Sequence, residues 1–153
     1  MKFAIIKERK NPPDKRAVLS PEACATLKKK FPSSDIKVES DTNRAFSDEE
    51  YRKFGIEVTN DISDCDVLLG IKEVPVDYLI PNKKYFFFSH TIKKQAHNQK
   101  LLLAIMQKKI ELYDHEVITD TKGVRIVAFG KYAGIVGTYN TIRAYGLKTR
   151  SFN

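Results

Sequence analysis

The sequence is poor in cysteine, with two in 153 residues. Cys24 and Cys65 lie far apart, with no CxxC pair and no histidine cluster, so neither a zinc site nor a disulfide framework is expected; buried, reduced thiols are. Long apolar runs are also missing. No stretch approaches the roughly 20 residues that a membrane-spanning helix requires, and the opening Met1-Lys2-Phe3-Ala4-Ile5-Ile6-Lys7 is too short for a signal peptide. No membrane partner and a cytoplasmic location are expected. Glycine-rich phosphate loops are absent too. There is no GxxxxGK[ST], and Gly130, Gly134 and Gly137 are spaced GxxxGxxG rather than GxGxxG, with no acidic residue about 20 positions on. They are read as close packing at a helix start. Neither a GxSxG turn nor an HExxH helix occurs. No metal site and no nucleotide site is therefore expected on this chain.

Acidic residues are the scarcer sign, 19 against 27 Lys and Arg, for a net charge of +8. The excess is scattered in pairs such as Lys83-Lys84, Lys93-Lys94 and Lys108-Lys109, so it does not form the stripe that binds nucleic acid. The exception is Lys7, Arg9, Lys10, Lys15 and Arg16, which span the exit of the first apolar run. Two readings stand for it: an anion pocket for carboxylates, or a solvated loop.

What is present is an alternation of short apolar runs and helical patterns in a chain long enough for one domain. Lys2 to Lys7 reads as a buried strand, and Asn11-Pro12-Pro13-Asp14 as a loop, because proline lacks a donor and fixes φ. Ser20-Pro21-Glu22 opens a helix to about Lys30, with serine as cap, proline at the first position and glutamate at the positive end of the dipole. Ile36–Glu39 is a strand, Ser47-Asp48-Glu49-Glu50 a capping box for a helix ending before Gly55, and Ile56–Thr59 a strand. Val67–Ile71 and Tyr85–Ser89 are the continuous apolar runs expected of central parallel strands. Gln95–Lys108 is a helix with Leu101, Leu102, Ile105 and Met106 as its core face. Ile110–Tyr113 is a further strand. Glu116–Thr119 and Val124–Ala128 suggest a small β-hairpin turning at Asp120-Thr121-Lys122-Gly123, and Gly130–Gly146 a last helix. The fold class is α/β, an open, mostly parallel, Rossmann-like sheet flanked by helices.

Two strand ends carry chemistry. Phe86-Phe87-Phe88-Ser89 stops at His90, and Val67-Leu68-Leu69-Gly70-Ile71 stops at Lys72-Glu73. Open α/β sheets bind ligands at the carboxyl ends of their strands. An imidazole there titrates near neutrality, and an ammonium there can pair with a carboxylate or act as a base once its proton is lost. His90 also admits a purely structural reading, Lys72 that of a surface lysine. Glu73 either holds the charge of Lys72 or faces water. Glu116 either tunes nearby basic groups or makes a structural pair. His97 is read as solvent-exposed, and His115 receives no role.

Three segments resemble one family. Phe87-Phe88-Ser89-His90-Thr91-Ile92-Lys93-Lys94-Gln95, Gly70-Ile71-Lys72-Glu73-Val74-Pro75 and Gly123 to Gly134 resemble the amino-terminal domain of lysine-ketoglutarate reductase and saccharopine dehydrogenases. Lys7-Glu8-Arg9 through Arg16-Ala17-Val18-Leu19-Ser20-Pro21 is similar to the opening of the wider alanine dehydrogenase and pyridine nucleotide transhydrogenase group. The resemblance implies a substrate domain, residues 1–153, that faces a separate nucleotide-binding domain not present on this chain. It implies NAD or NADP as cofactor, bound mainly by that other domain in cis or trans. It implies an amino acid and a 2-oxo acid as small-molecule partners, and a homo-oligomer is compatible with it. By position it implies Lys72 and His90 as the catalytic acid/base pair, Arg16 and Lys93 as substrate contacts, and Glu73 and Glu116 as charge-tuning carboxylates.

The activity so implied is half of an NAD(P)-dependent oxidoreductase acting on a CH–NH group, in lysine metabolism, with no turnover expected from this chain alone. The alternatives are an alanine dehydrogenase-type substrate domain, or an amino-acid or keto-acid binding module without chemistry.

Overall fold

A computed structural model describes residues 1–12 and 14–151; Pro13, part of the loop expected at 11–14, lies outside the described residues. The chain divides into two units, residues 1–118 and residues 119–153.

Among its described residues the first unit holds six strands, β1 (Lys2–Ile5), β2 (Asp35–Glu39), β3 (Glu57–Thr59), β4 (Val67–Leu69), β5 (Lys84–Phe87) and β6 (Glu111–Asp114), and three α-helices, α1 (Pro21–Lys30), α2 (Asp48–Lys53) and α3 (Gln99–Gln107). Every strand pairing is parallel, in the order β3-β2-β1-β4-β5-β6. The chain lays β2 and β3 on one side of β1, then crosses to the other for β4, β5 and β6. The switch between β1 and β4 opens a crevice at the carboxyl ends of the strands.

Successive residues of a strand point to opposite faces, so each face takes its own helices. Ala4, Ile6, Leu68, Tyr85 and Phe87 pack with Leu101, Ala104 and Ile105 of α3. Ile5, Ile36 and Val38 pack with Cys24 of α1 and Tyr51 of α2. Both cysteines are free and fully buried. Local chemistry sets the helix starts. Ser20 Oγ accepts the N–H of Ala23 at 3.2 Å, and Ser47 with Glu50 forms the reciprocal capping box. Gly55 takes φ +71° just after α2, where the chain must leave the helix.

α3 begins at Gln99 rather than Gln95, behind a 3-10 turn over Ala96–Asn98, and β4 and β5 end at Leu69 and Phe87, two residues short of the expected Ile71 and Ser89. Two further expectations need correction in this unit. Leu101 and Ile105 are buried, but Leu102 and Met106 are 41% and 67% exposed. One sheet face is all that α3 covers, so the buried stripe is narrow and runs through Leu101, Ala104 and Ile105. The predicted strand at Glu116–Thr119 does not form, because the chain turns directly after β6, with the Glu116 N–H bonded to Asp114 Oδ1 at 2.9 Å.

The second unit contains α4 (Gly130–Thr149), three residues longer than expected, and the turn at Asp120–Gly123. The hairpin is reduced to one antiparallel bridge, Thr119 with Arg125. Asp120 Oδ1 closes the turn by accepting the N–H groups of Lys122 and Val124, each at 2.8 Å. Close packing at Gly130, Gly134 and Gly137 is not found: an added Cβ at each meets no atom of its own unit within 4 Å.

Candidate functional site

The crevice is built from the exits of β1, β4 and β5. Glu8, just past β1, reaches under the end of β4. Its Oε1 accepts the N–H of Ile71 at 2.6 Å and its Oε2 that of Lys72 at 2.9 Å. Burial, the largest influence, raises the Glu8 carboxyl above its ordinary range against the pull of these two bonds. Asp14 and Arg16 lie beside it. Arg16 donates to Asp14 Oδ1 through Nε at 2.9 Å and to Oδ2 through a terminal nitrogen at 2.5 Å, a two-pronged fork. The fork holds the Asp14 carboxyl down at about 2, burial opposing and the charge of Lys72 adding to the effect. Glu8, Asp14, Arg16 and Lys72 thus form one charged group at the switch point.

A second group surrounds His90 at the end of β5. His90, three residues past the end of β5, takes a left-handed conformation, φ +55°, and starts a single turn of 3-10 helix over Thr91–Lys93. Its Nδ1 lies 3.1 Å from Glu116 Oε2, and Lys93 Nζ lies 3.0 Å from the other Glu116 oxygen. Lys93 Nζ is also 3.4 Å from His90 Nδ1, and the shorter contact, to the carboxylate, makes Nδ1 the proton donor. On the other edge, His90 Nε2 stands 3.6 Å from Glu73 Oε1, beyond hydrogen-bond reach, while Glu73 Oε2 pairs with Lys10 Nζ at 3.3 Å. The imidazole is therefore flanked by two carboxylates, each carrying its own lysine, and Nε2 is the uncommitted nitrogen. Burial would raise Glu116, but the hydrogen bonds and charges of Lys93 and His90 prevail and lower it.

Buried groups hold this arrangement from below. Asp114 accepts the Ser89 hydroxyl at 2.5 Å, the Ser89 N–H at 3.4 Å and the Glu116 N–H at 2.9 Å, so one carboxyl group ties down the chain on both sides of the His90–Glu116 contact. The Asn98 amide donates to the His90 carbonyl at 3.1 Å. His115 is buried with Nε2 donating to the Gly70 carbonyl at 3.1 Å, and burial, its largest influence, lowers its pKa. His97 is exposed.

Of the five cations at the β1 exit, three are committed to carboxylates of the chain itself. Arg9 pairs with the buried Glu39 and lies 4.7 Å over the Tyr78 ring; Lys10 pairs with Glu73, and Arg16 with Asp14. An open cleft of about 380 Å³ adjoins Glu73 and Lys10 and is lined also by His97, Asn98 and Lys100.

All six site residues read from the sequence lie at the strand-tip end of the first unit, in two groups: Arg16 and Lys72, and Glu73, His90, Lys93 and Glu116. Sequence reading missed Glu8, Asp14 and Asp114. A signal for Glu8 existed, since an acidic residue at the tip of a buried first strand meets the same criterion that singled out His90 and Lys72.

Among the described residues there is no cluster of His, Cys, Asp and Glu able to hold a metal ion, and no helix is long and apolar enough to cross a membrane.

Comparison with known proteins gives a consistent picture. The alpha-aminoadipic semialdehyde synthase of Bos taurus is 42% identical over 113 residues, 74% of this chain and 12% of that protein. Its Arabidopsis thaliana counterpart is 37% identical over 146 residues, 93% of this chain and 14% of that protein. A saccharopine dehydrogenase (NAD(+), L-lysine-forming) of Emericella nidulans is 32% identical over 132 residues, 82% of this chain and 35% of that protein. The chain spans well under half the length of each. Among solved structures, an L-alanine dehydrogenase superposes with a TM-score of 0.67 at 21% identity, over 80% of this chain and 34% of that one. A transhydrogenase from Sinorhizobium meliloti gives 0.65 at 19% identity, over 80% and 37%. At these identities the two structures establish a shared fold. The family model for the alanine dehydrogenase/PNT N-terminal domain matches residues 4–136, and the chain belongs to that family.

Proposed function

We propose that this chain is the substrate-holding domain of a saccharopine-type NAD(P)-dependent oxidoreductase, with Lys72 and His90 as its proton-moving pair. The observation that carries the reading is the His90 imidazole set between Glu73 and Glu116 at the tip of β5, beside the Lys72 tip of its neighbour β4.

The chemistry asks for two proton carriers. Oxidation of a secondary amine to an imine removes a hydride from carbon and a proton from nitrogen. Water then adds to the imine carbon, one of its protons passing to the nitrogen, and the C–N bond of the carbinolamine breaks as the hydroxyl gives up its remaining proton and the nitrogen gains a second, giving lysine and 2-oxoglutarate. The reverse sequence forms and reduces the imine. A lysine and a histidine on adjacent strand tips supply one carrier for the amine and one for the water, and His90 Nε2 is the nitrogen open to substrate. Glu73 and Glu116 moderate the positive charge that gathers on the pair. Arg16, its side chain half-exposed and its fork to Asp14 using Nε and one terminal nitrogen, offers the other terminal nitrogen to a substrate carboxylate, and Lys93 lies close enough to His90 to contact the same ligand.

A nicotinamide would supply or accept the hydride, and the residues of this chain do not fit one. A dinucleotide needs a glycine turn with free N–H groups after the first strand, whereas Ile6-Lys7-Glu8-Arg9 has no glycine and projects a carboxylate. A nucleotide-binding domain, in cis or trans, supplies that site.

The test is turnover in the enzyme assembled with its nucleotide-binding domain. Lys72→Met and His90→Gln should each lower kcat by roughly 10²–10⁴-fold. Turnover within a factor of three of wild type in the double variant would refute the assignment.

A further inference from the structure

We infer that Glu8 is the positioning residue for Lys72, the template on which the backbone leaving β4 is set. The inference rests on the proposed role of Lys72 and adds to it the group that aims its side chain.

β4 is three residues long, and the segment after it keeps backbone bonds to the β5 side but none to the β1 side, where the Ile6 N–H to the Leu69 carbonyl at 3.0 Å is the last. Its backbone bonds can be accounted for one by one. Gly70 N–H goes to Phe86 O at 2.8 Å, and the Ile71 carbonyl accepts the Phe88 N–H at 2.9 Å. The Gly70 carbonyl accepts from His115. Ile71 N–H and Lys72 N–H have no sheet partner, and both are taken by Glu8, from a residue more than sixty positions away. Glu8 thus does for this turn what a neighbouring strand does elsewhere.

The arrangement demands a carboxylate. Both oxygens face N–H donors that cannot be turned into acceptors. A glutamine of the same shape would set its NH₂ against one of those N–H groups in either orientation of the amide. The fit is also close. A Cβ on Gly70 would meet Ile6 Cδ1 at 2.9 Å and Glu8 Oε1 at 3.6 Å, so the turn lies directly on the β1 exit, and a shift of Glu8 moves the base of the Lys72 side chain with it. Asp14 and Arg16 face the same carboxylate and tie it to the charged group around Lys72.

The test uses Glu8→Gln in the full chain, with Glu8→Asp, which keeps the charge but withdraws it by one methylene, as the second variant should the first not fold. Amide exchange is read at Ile71 and Lys72, acylation of the Lys72 amine relative to Lys93 by mass spectrometry, and saccharopine affinity by calorimetry, with Lys72→Met as reference. Exchange at the two amides should rise about tenfold or more, as expected when a buried donor loses its acceptor. The Lys72 to Lys93 labelling ratio should change severalfold, and affinity should fall about tenfold, as misplacement of a contacting group implies. Unchanged exchange and an unchanged labelling ratio in a folded variant would overturn the inference, as would a lowered melting temperature with the labelling ratio intact, the mark of a merely structural group. If wild-type chain takes up no saccharopine, or Lys72→Met binds as wild type does, the proposed function fails instead, and the exchange and labelling results still decide the part played by Glu8.

Discussion

Removing the Asp114 carboxyl group should loosen the His90 site and lower stability together, by an amount that can be worked from its bonds. Asp114 is 7% exposed and takes three donors: the Ser89 hydroxyl, the Ser89 N–H and the Glu116 N–H. In Asp114→Ala the Ser89 hydroxyl can turn to Thr91 Oγ1, already 2.7 Å away, but the two N–H groups cannot turn. A buried donor left without an acceptor costs about 1–3 kcal/mol. The Ser89 N–H contact is long, so its share sits at the low end, and the sum is about 3 kcal/mol. With a urea m-value of about 2 kcal/mol/M, the unfolding midpoint of the first unit falls by about 1.5 M.

Asp114→Asn makes the contrast. Its remaining oxygen keeps both N–H donors, and its NH₂ donates to Ser89 Oγ while the Ser89 hydroxyl donates to Thr91. Every group stays satisfied, and only the strength of the bonds to a charged acceptor is lost, about 1 kcal/mol. The assay is urea unfolding followed by circular dichroism, with saccharopine calorimetry alongside. An alanine variant within 0.5 kcal/mol of wild type, or an asparagine variant as unstable as the alanine one, would show that the Asp114 carboxyl group does not hold these donors.

Other outcomes follow from the same structure. Burial, the main cause, pushes the thiols of Cys24 and Cys65 up to about 11, so neither should react with iodoacetamide at pH 8 in the folded chain, and both should react in 6 M guanidinium; rapid labelling of the native protein would contradict the packing. The Arg16 fork lowers the Asp14 carboxyl from 3.8 to about 2, so the unfolded chain binds the proton first; the stabilisation is present above about pH 4 and lost as pH falls towards 2. Asp14→Asn should therefore flatten that part of the pH–stability curve, and an unchanged curve would rule the pair out as its source. Leu101→Ala should cost about 2–5 kcal/mol, whereas Leu102→Gln with Met106→Gln should stay within about 0.5 kcal/mol each; equal costs in thermal unfolding would mean that the stripe of α3 has been misplaced.

How far the site can be read from the sequence depends on the range of each interaction. The starts of α1 and α2 were legible because a serine cap acts on the residue three positions ahead. The strands were legible as short apolar runs, and the tips of β4 and β5 as the points where polar residues interrupt those runs, which placed Lys72 and His90 correctly at one end of the sheet. Leu102 and Met106 were misread because helical period alone gives the direction of a stripe and not its width, which depends on how much of α3 the sheet covers. The hairpin was misread because alternation suggests strands without supplying the partner backbone.

The carboxylates were a different matter. Glu116 meets His90 across 26 residues, Glu73 meets Lys10 across 63, and Glu8 meets Lys72 across 64. The α/β alternation, the helix caps and the titratable residues near the strand ends are readable along the chain, because they follow from the backbone and side chains of a few successive residues. Which carboxylate faces which base, and which N–H groups Glu8 and Asp114 take, depends on the folded sheet, because those choices arise from the order β3-β2-β1-β4-β5-β6, which brings distant strand ends to one crevice.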